Sequence, residues 1–443
     1  DGGLDQVSQL TRERIAQPVA FQRDAAQTEI AQARVSELLK GPLSVDSAVE
    51  VALLSNRDLQ AQLANLGIAE ADLVRAGRLR NPGFSFGRLS GNGVVEYDRT
   101  VMFDLLGLLT MPMARQIEQQ RFERAQLQAA QDAVTLAANT RRAYFNAVGA
   151  QEQLRYLQQV KETADIANEL AKRMAQVGNF NRLTQMREQA FSADTTAQLA
   201  RAQQQALADR ERLTRLLGLT GEQLKFQLPD RLPELPKQAL EVRSAEQTAM
   251  DKRLDIQIAK RQTEALARTL GLTRSTRLVN VLEVGYQNKS ETGAQRSNGY
   301  EISLELPIFD FGTARVARAE ATYLQSMNRV AALGVQAQSE VRESHAAYLT
   351  AYELARHYRD EVVPLRKRIS EENLLRYNGM LISVFELLAD AREQVTGVSN
   401  AVAALRDFWV AQVNLDTALT AGSPVAASVS PISVPATAAK PGH

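Results

Sequence analysis

The sequence predicts a mainly α-helical chain, built from one unit used twice, whose short β-strands form part of a transmembrane β-barrel shared between chains. Three observations lead there. Long runs are free of helix breakers, local patterns recur in the same order about 200 residues apart, and a few stretches alternate strictly between apolar and polar residues.

Composition narrows the function before any motif does. The 443 residues carry 52 Lys+Arg against 51 Asp+Glu, a net charge of +1, which gives nucleic acid no basic surface to find. Aromatics are only 5% of a chain rich in Ala, Gln, Leu and Arg, the usage of long helices packed through small side chains. No cysteine is present, so disulfides, thiol chemistry and Cys-ligated zinc are excluded. The three histidines, His345, His357 and His443, form no catalytic or metal-ligating pattern, and no phosphate-binding Gly-Lys-Ser/Thr loop occurs. Met102, Met111 and Met113 lie close together, but packing accounts for them better than a soft-metal site does. The reading is therefore of a non-enzyme with no cofactor. Asp1 in place of Met is taken to reflect a removed leader, secretory or lipoprotein in type.

Along the chain, residues 1–42 form an N-terminal segment and residues 43–218 a first repeat of helix, hairpin, long helix and return helix. Residues 219–250 are a linker marked by Pro229, Pro233 and Pro236, residues 251–422 the second repeat, and residues 423–443 a disordered Pro/Ser/Ala-rich tail. The duplication shows in pairs of short patterns. Asp58-Leu59-Gln60 returns as Asp255-Ile256-Gln257, Ala143-Tyr144 as Ala347-Tyr348, and the loop Val177-Gly178-Asn179 as Asn378-Gly379-Met380. A helix over 113–177 carries a heptad seam through Leu157, Ala164 and Ala171 beside Val160, Ala167 and Met174. Its counterpart over 312–378 is a rod of roughly 100 Å that Pro364 should kink. Return helices are expected over 183–217 and 381–419.

The strands answer to period two. Tyr300, Ile302, Leu304 and Leu306 alternate with Glu301, Ser303 and Glu305, and Leu282, Val284 and Tyr286 alternate with Glu283 and Gly285. Further strands are expected at 84–87 and 99–106, with polar loops at 88–98 and 287–298. Strands near ten residues suffice to cross a bilayer as part of a barrel, and short strands joined by a polar loop could equally form a soluble hairpin. Four cannot close a barrel, because open edges in lipid leave backbone groups unpaired at several kcal/mol each. Three chains would supply twelve strands. On that reading Leu282, Val284, Tyr286, Tyr300, Ile302 and Leu304 face lipid, while Glu283, Glu301, Ser303 and Glu305 face a water-filled lumen.

The stretches LPIFDFG (306–312) and RYNGMLISVFELLADAR (376–392), with the duplication around them, resemble the TolC-like outer-membrane efflux proteins, over roughly residues 43–422. The resemblance implies a homotrimer in the cell outer membrane, with a twelve-stranded β-barrel among its lipids and a helical barrel reaching into the periplasm. It implies a passive exit duct carrying small molecules or metal ions for a tripartite system with a periplasmic adaptor and an inner-membrane pump, RND-type favoured. A type I protein-secretion duct is the alternative within the family, and a periplasmic structural coiled coil the alternative outside it. The helical turns would be adaptor-docking tips, with Gly178, Asn179, Arg376, Tyr377, Gly379, Met380 and Ser383 on or near them. Glu386 and Asp390 are the candidate periplasmic gate, and the bland alternative pairs one of them with Arg392 or Arg187 of a neighbouring helix. Val384, Leu388, Ala391 and Val395 make an apolar stripe on the same returning helix. Glycines at the two tips are expected to take the left-handed backbone that a helix reversal needs.

Overall fold

A computed structural model describes residues 2–91, 93–178, 182–242, 244–277, 281–305 and 311–424. Asn179, the stretch Leu306–Asp310 and the tail from 425 onward therefore lie outside the described residues, as do the side chains of Val384 and Leu388. The first half runs α1 (Leu4–Ile15), α2 (Ala25–Leu38), α3 (Val45–Ser55), α4 (Arg57–Ala76), β1 (Gly83–Gly91), β2 (Val94–Asp104), α5 (Leu105–Gln176) and α6 (Arg182–Leu217). The second runs α7 (Ala245–Lys252), α8 (Leu254–Ser275), β3 (Leu282–Glu291), β4 (Ser297–Leu304), α9 (Thr313–His357), α10 (Val363–Asn378) and α11 (Val384–Thr420). Among the described residues no helix is long and apolar enough to cross a membrane.

The two halves share joints as well as element order. Asn56 ends α3 and begins α4 with φ −69° and ψ 115°, and Arg253 ends α7 and begins α8 with φ −62° and ψ 125°. Each side chain then reaches the last turns of its own return helix: Asn56 Nδ2 donates to the Leu216 carbonyl at 3.0 Å, and Arg253 Nη1 to the Ala418 carbonyl at 3.5 Å. Two buried tyrosines repeat one another in the same way. The Tyr144 hydroxyl donates to the Leu43 carbonyl just ahead of α3, and the Tyr348 hydroxyl accepts from the Leu240 N–H ahead of α7, each at 2.9 Å. Burial pushes the Tyr144 phenol up to about 12, so it stays a neutral donor at any physiological pH.

Around these joints lie three apolar clusters, centred on Tyr144, Leu213 and Val148, on Val7, Leu63 and Ala133, and on Tyr348, Phe408 and Leu415. They gather where the N-terminal helices and the linker wrap the mid-length of the long helices. Beyond them α5 and α6 pack through the alanine seam read from sequence, with Leu157, Val160, Ala164 and Ala171 all buried. Small side chains there let two helix backbones approach closely.

The long rods differ. α5 spans 72 residues, roughly 110 Å, and tolerates Pro112 within its first turns. Its counterpart is broken between α9 and α10 by a π-helical turn, Tyr358–Val362, where the Val363 N–H reaches back five residues to the Tyr358 carbonyl. Pro364 follows at once. It has no N–H for the Asp360 carbonyl, and the widened turn takes up the irregularity expected from the proline.

The four described strands form one antiparallel sheet in the order β1-β2-β3-β4. They are longer, and their connections shorter, than the sequence reading expected. β2 begins at Val94 and stops at Asp104, where the Asp104 side chain caps α5 by accepting from the Gly107 N–H. β3 continues to Glu291, so the expected loops at 88–98 and 287–298 are mostly strand. The reason is cross-strand pairing between polar residues that look like loop in isolation. Gln287 donates to Asp98 at 2.9 Å and Arg99 to Asn288 at 3.1 Å.

Candidate functional site

The sheet has two faces of opposite chemistry, and the register fixes them. Residues directly opposite across a ladder share a face. Phe84 pairs with Val101, Val101 with Tyr286, and Tyr286 with Tyr300. One row nearer the helices, Phe103, Val284 and Ile302 align, and beyond them Leu282 meets Leu304. Every lipid-facing residue expected from sequence thus lies on one apolar face, and Tyr300 and Ile302 stand 86% and 71% exposed in the single chain. Apolar side chains this open demand a cover or an apolar solvent.

On the opposite face Glu283 pairs with Asp104 and Ser303, and Glu301 with Gly285. Glu305 lies one residue beyond the end of β4, its N–H donating to the Val281 carbonyl. Four further acids share this face and were missed from sequence: Glu96, Asp98, Asp104 and Glu291. Their signal was the alternation Glu96, Asp98, Thr100, Met102, which continues the strand through residues that look like a loop. Lys289 answers part of their charge, 3.3 Å from Glu96 and 4.0 Å from Asp98. The sheet's outer strands, β1 and β4, leave their outer edges without a partner strand among the described residues.

Far from the sheet, the helical reversals hold the other expected residues. Gly178 takes φ +77° just after α5, as its lack of Cβ allows. In the second repeat the sequence expectation fails by one residue. Gly379 has an ordinary φ of −78°, and Met380 occupies the left-handed region at φ 59°. The hydrogen bonds explain it: the Met380 N–H donates to Tyr377 O and the Leu381 N–H to Arg376 O, the paired bonds of a Schellman turn whose left-handed position falls on residue 380. The Met380 side chain is 92% exposed. Tyr377 is exposed too, while Arg376 pairs with Glu372 at 3.3 Å on its own helix.

Ser383 and Glu386 are engaged with each other. The Ser383 hydroxyl accepts from the Glu386 N–H, and the Glu386 carboxylate accepts from the Ser383 N–H at 3.2 Å, a capping box that starts α11. Asp390 is only 9% exposed, and its Oδ2 finds no hydrogen-bond partner among the described residues. Arg392 bonds neither acid. It meets Glu188 of α6 at 2.8 Å and lies over the Phe191 ring at 4.5 Å. His357 pairs with Glu361 across the π turn at 3.2 Å, and the described residues hold no cluster fit for a metal ion.

Long paired helices, a duplicated unit and four strands with one apolar and one acidic face are the fold features of an outer-membrane channel subunit. The comparisons agree. The family model described as "Outer membrane efflux protein" matches residues 110–219. The outer-membrane channel OprN is similar in structure at a TM-score of 0.73 and 20% identity, over 89% of this chain and 92% of that one. The open state of the Neisseria gonorrhoeae MtrE outer membrane channel is similar at 0.70 and 17%, over 85% and 88%. CusC, solved in a study of folding and transmembrane channel formation, is similar at 0.70 and 19%, over 85% and 92%. No curated protein sequence matches the chain. The chain shares the fold of these outer-membrane channels.

Proposed function

We propose that three copies of this chain form a passive outer-membrane exit duct of a tripartite efflux system, taking small molecules or metal ions from a periplasmic adaptor and an inner-membrane pump to the outside. The observation that carries this is the two-faced sheet with open outer edges. An apolar face needs lipid, an acidic face needs water, and an edge in lipid needs another strand. Joining β1 of one chain to β4 of the next satisfies all three at once.

In that duct Glu283, Glu301 and Asp98 line the lumen and favour cations, since rings of carboxylates select by charge. The tips at Gly178 and Met380 are the end furthest from the membrane and meet the adaptor. Of the two gate candidates, Asp390 has a carboxylate oxygen without a partner among the described residues, whereas the Glu386 carboxylate accepts from the Ser383 N–H. Three Asp390 carboxylates around a narrowed entrance would bind divalent cations and close it.

Cell fractionation and planar-bilayer recording test the reading. The protein should sediment with the outer membrane and give cation-selective channels. Divalent cations added on the periplasmic side should block them, and Asp390→Asn should relieve the block. Recovery of the protein as a detergent-independent periplasmic species would overturn the assignment.

A further inference from the structure

Charge on the sheet is sorted by face. In the strands, the acidic face carries Lys289 as its one cation. The apolar face carries two charged residues, Arg88 and Arg99, and no acid. Both stand at the end of the apolar band nearest the hairpin turns. Arg88 pairs with Tyr97, and Arg99 sits in the next row, opposite Phe86 on one side and Asn288 on the other. Each guanidinium lies 5.9 Å from the centre of the Tyr97 ring, so one aromatic is flanked by two cations. Arg99 donates to the Asn288 side-chain Oδ1 at 3.1 Å, and Asn288 Nδ2 donates on to Asn298 Oδ1 at 2.6 Å. Neither guanidinium meets a carboxylate among the described residues, although Glu96, Asp98 and Glu291 lie in the adjoining rows on the other face.

Two uncompensated arginines at like-charge range disfavour each other unless an anion joins them. Their location selects the anion. Toward the helices the face turns to Phe86, Phe84 and Tyr300, which accept acyl chains; toward the turns it ends in water. We infer that Arg88 and Arg99, set around Tyr97, form a binding site for the phosphate headgroup of an outer-leaflet lipid, its chains lying along Phe84, Phe86 and Tyr300. Guanidinium groups bind phosphate through paired, charge-assisted hydrogen bonds, and Tyr97 with Asn288 keeps the two forks in place. The site rests on the proposed function, because it needs this face to meet lipid. It adds a ligand class to that reading: a phosphorylated lipid that fixes how deeply the barrel sits.

Native mass spectrometry of the detergent-purified assembly tests it, with insertion first verified by channel conductance in bilayers. The probes are a glycolipid bearing a phosphate monoester, the same glycolipid with the phosphate removed, and inorganic phosphate. The wild type should retain the phosphorylated lipid about tenfold more strongly than the dephosphorylated one, and inorganic phosphate at equal concentration should not displace it. Arg88→Gln with Arg99→Gln should abolish that preference while conductance persists, and the double Lys variant should keep part of it. Equal retention of both lipids, or retention unchanged in the Gln pair, would overturn the site. Displacement by inorganic phosphate would overturn the lipid assignment. Absence of conductance in the wild type would instead overturn the function on which the site rests.

Discussion

The two repeats hold the same joint with different chemistry. At the first, a neutral amide does the work: Asn56 caps α4 by accepting from the Leu59 N–H and donates to Leu216. At the second, a fully buried Arg253 sits between Asp255 at 2.7 Å and Glu340 at 2.9 Å. Gly218 follows the first return helix with φ +67°, where a Cβ would stand 2.6 Å from the Ser55 carbonyl, so the first joint closes backbone on backbone. Beyond the second return helix Ser423 adds a 2.7 Å hydrogen bond to Glu340. Backbone geometry survived the duplication while the interactions diverged. What the fold requires is the bend between paired helices and its tie to the return helix, and several residue types can supply the tie.

The largest difference between the two joints lies at Arg253. Replacing it with Ala leaves two partly buried carboxylates facing each other, and stability should fall by about 3–5 kcal/mol. Asn56→Ala loses a cap and one hydrogen bond and should cost about 1 kcal/mol. Chemical denaturation of the two variants measures both, and equal losses would show that the joints are not the distinct devices described.

A smaller effect separates the tips. Gly178 sits in the left-handed region freely, whereas Met380 is strained there by about 1 kcal/mol. Gly178→Ala should therefore destabilise its tip by about 1 kcal/mol, and Met380→Gly should stabilise its own by about half that after the added freedom of the unfolded glycine is counted. Amide exchange at the last turns of α5 and α10 reads each locally. Opposite signs support the asymmetry; a loss in both variants contradicts it.

The smallest expected effect is on pH. Burial alone would raise the Glu340 carboxyl, but hydrogen bonds from Ser423, Gln336 and Arg253 outweigh it and hold its pKa below the ordinary 4.5. A depressed carboxylate contributes stability that is present above its unfolded pKa and lost as pH falls through the folded one. The melting temperature should therefore decline below about pH 4.5 through this residue, and Glu340→Gln should flatten that part of the decline. Asn56 does not titrate, so variants at the first joint should leave the acid slope as it is. An unchanged slope in Glu340→Gln would remove the second joint from the acid response.

Where the sequence was legible, period and position carried the signal. Alternation at 282–286 and 300–304 gave the faces of β3 and β4, and absence of breakers gave the long helices with the irregularity beside Pro364. The duplication was visible at Asp58-Leu59-Gln60 and Asp255-Ile256-Gln257, two residues past the joints themselves. Asn56 and Arg253 escaped notice because nothing in residue type suggests that an amide and a guanidinium fill one role. Strand length was underread at Glu96, Asp98 and Lys289, which are polar in sequence and find their partners across the ladder, in one another and in Gln287. The left-handed residue was placed on Gly379 by propensity, yet it is set by which carbonyls the turn closes on, and that put Met380 there.

On the proposed function this sheet is one third of a closed barrel. The native mass of the detergent-solubilised protein decides between a shared barrel and an isolated sheet. The expected species is a homotrimer, three times the 48.8 kDa chain, that persists in detergent. A stable monomer with its hairpins ordered, as read by amide exchange across β1 and β4, would contradict it.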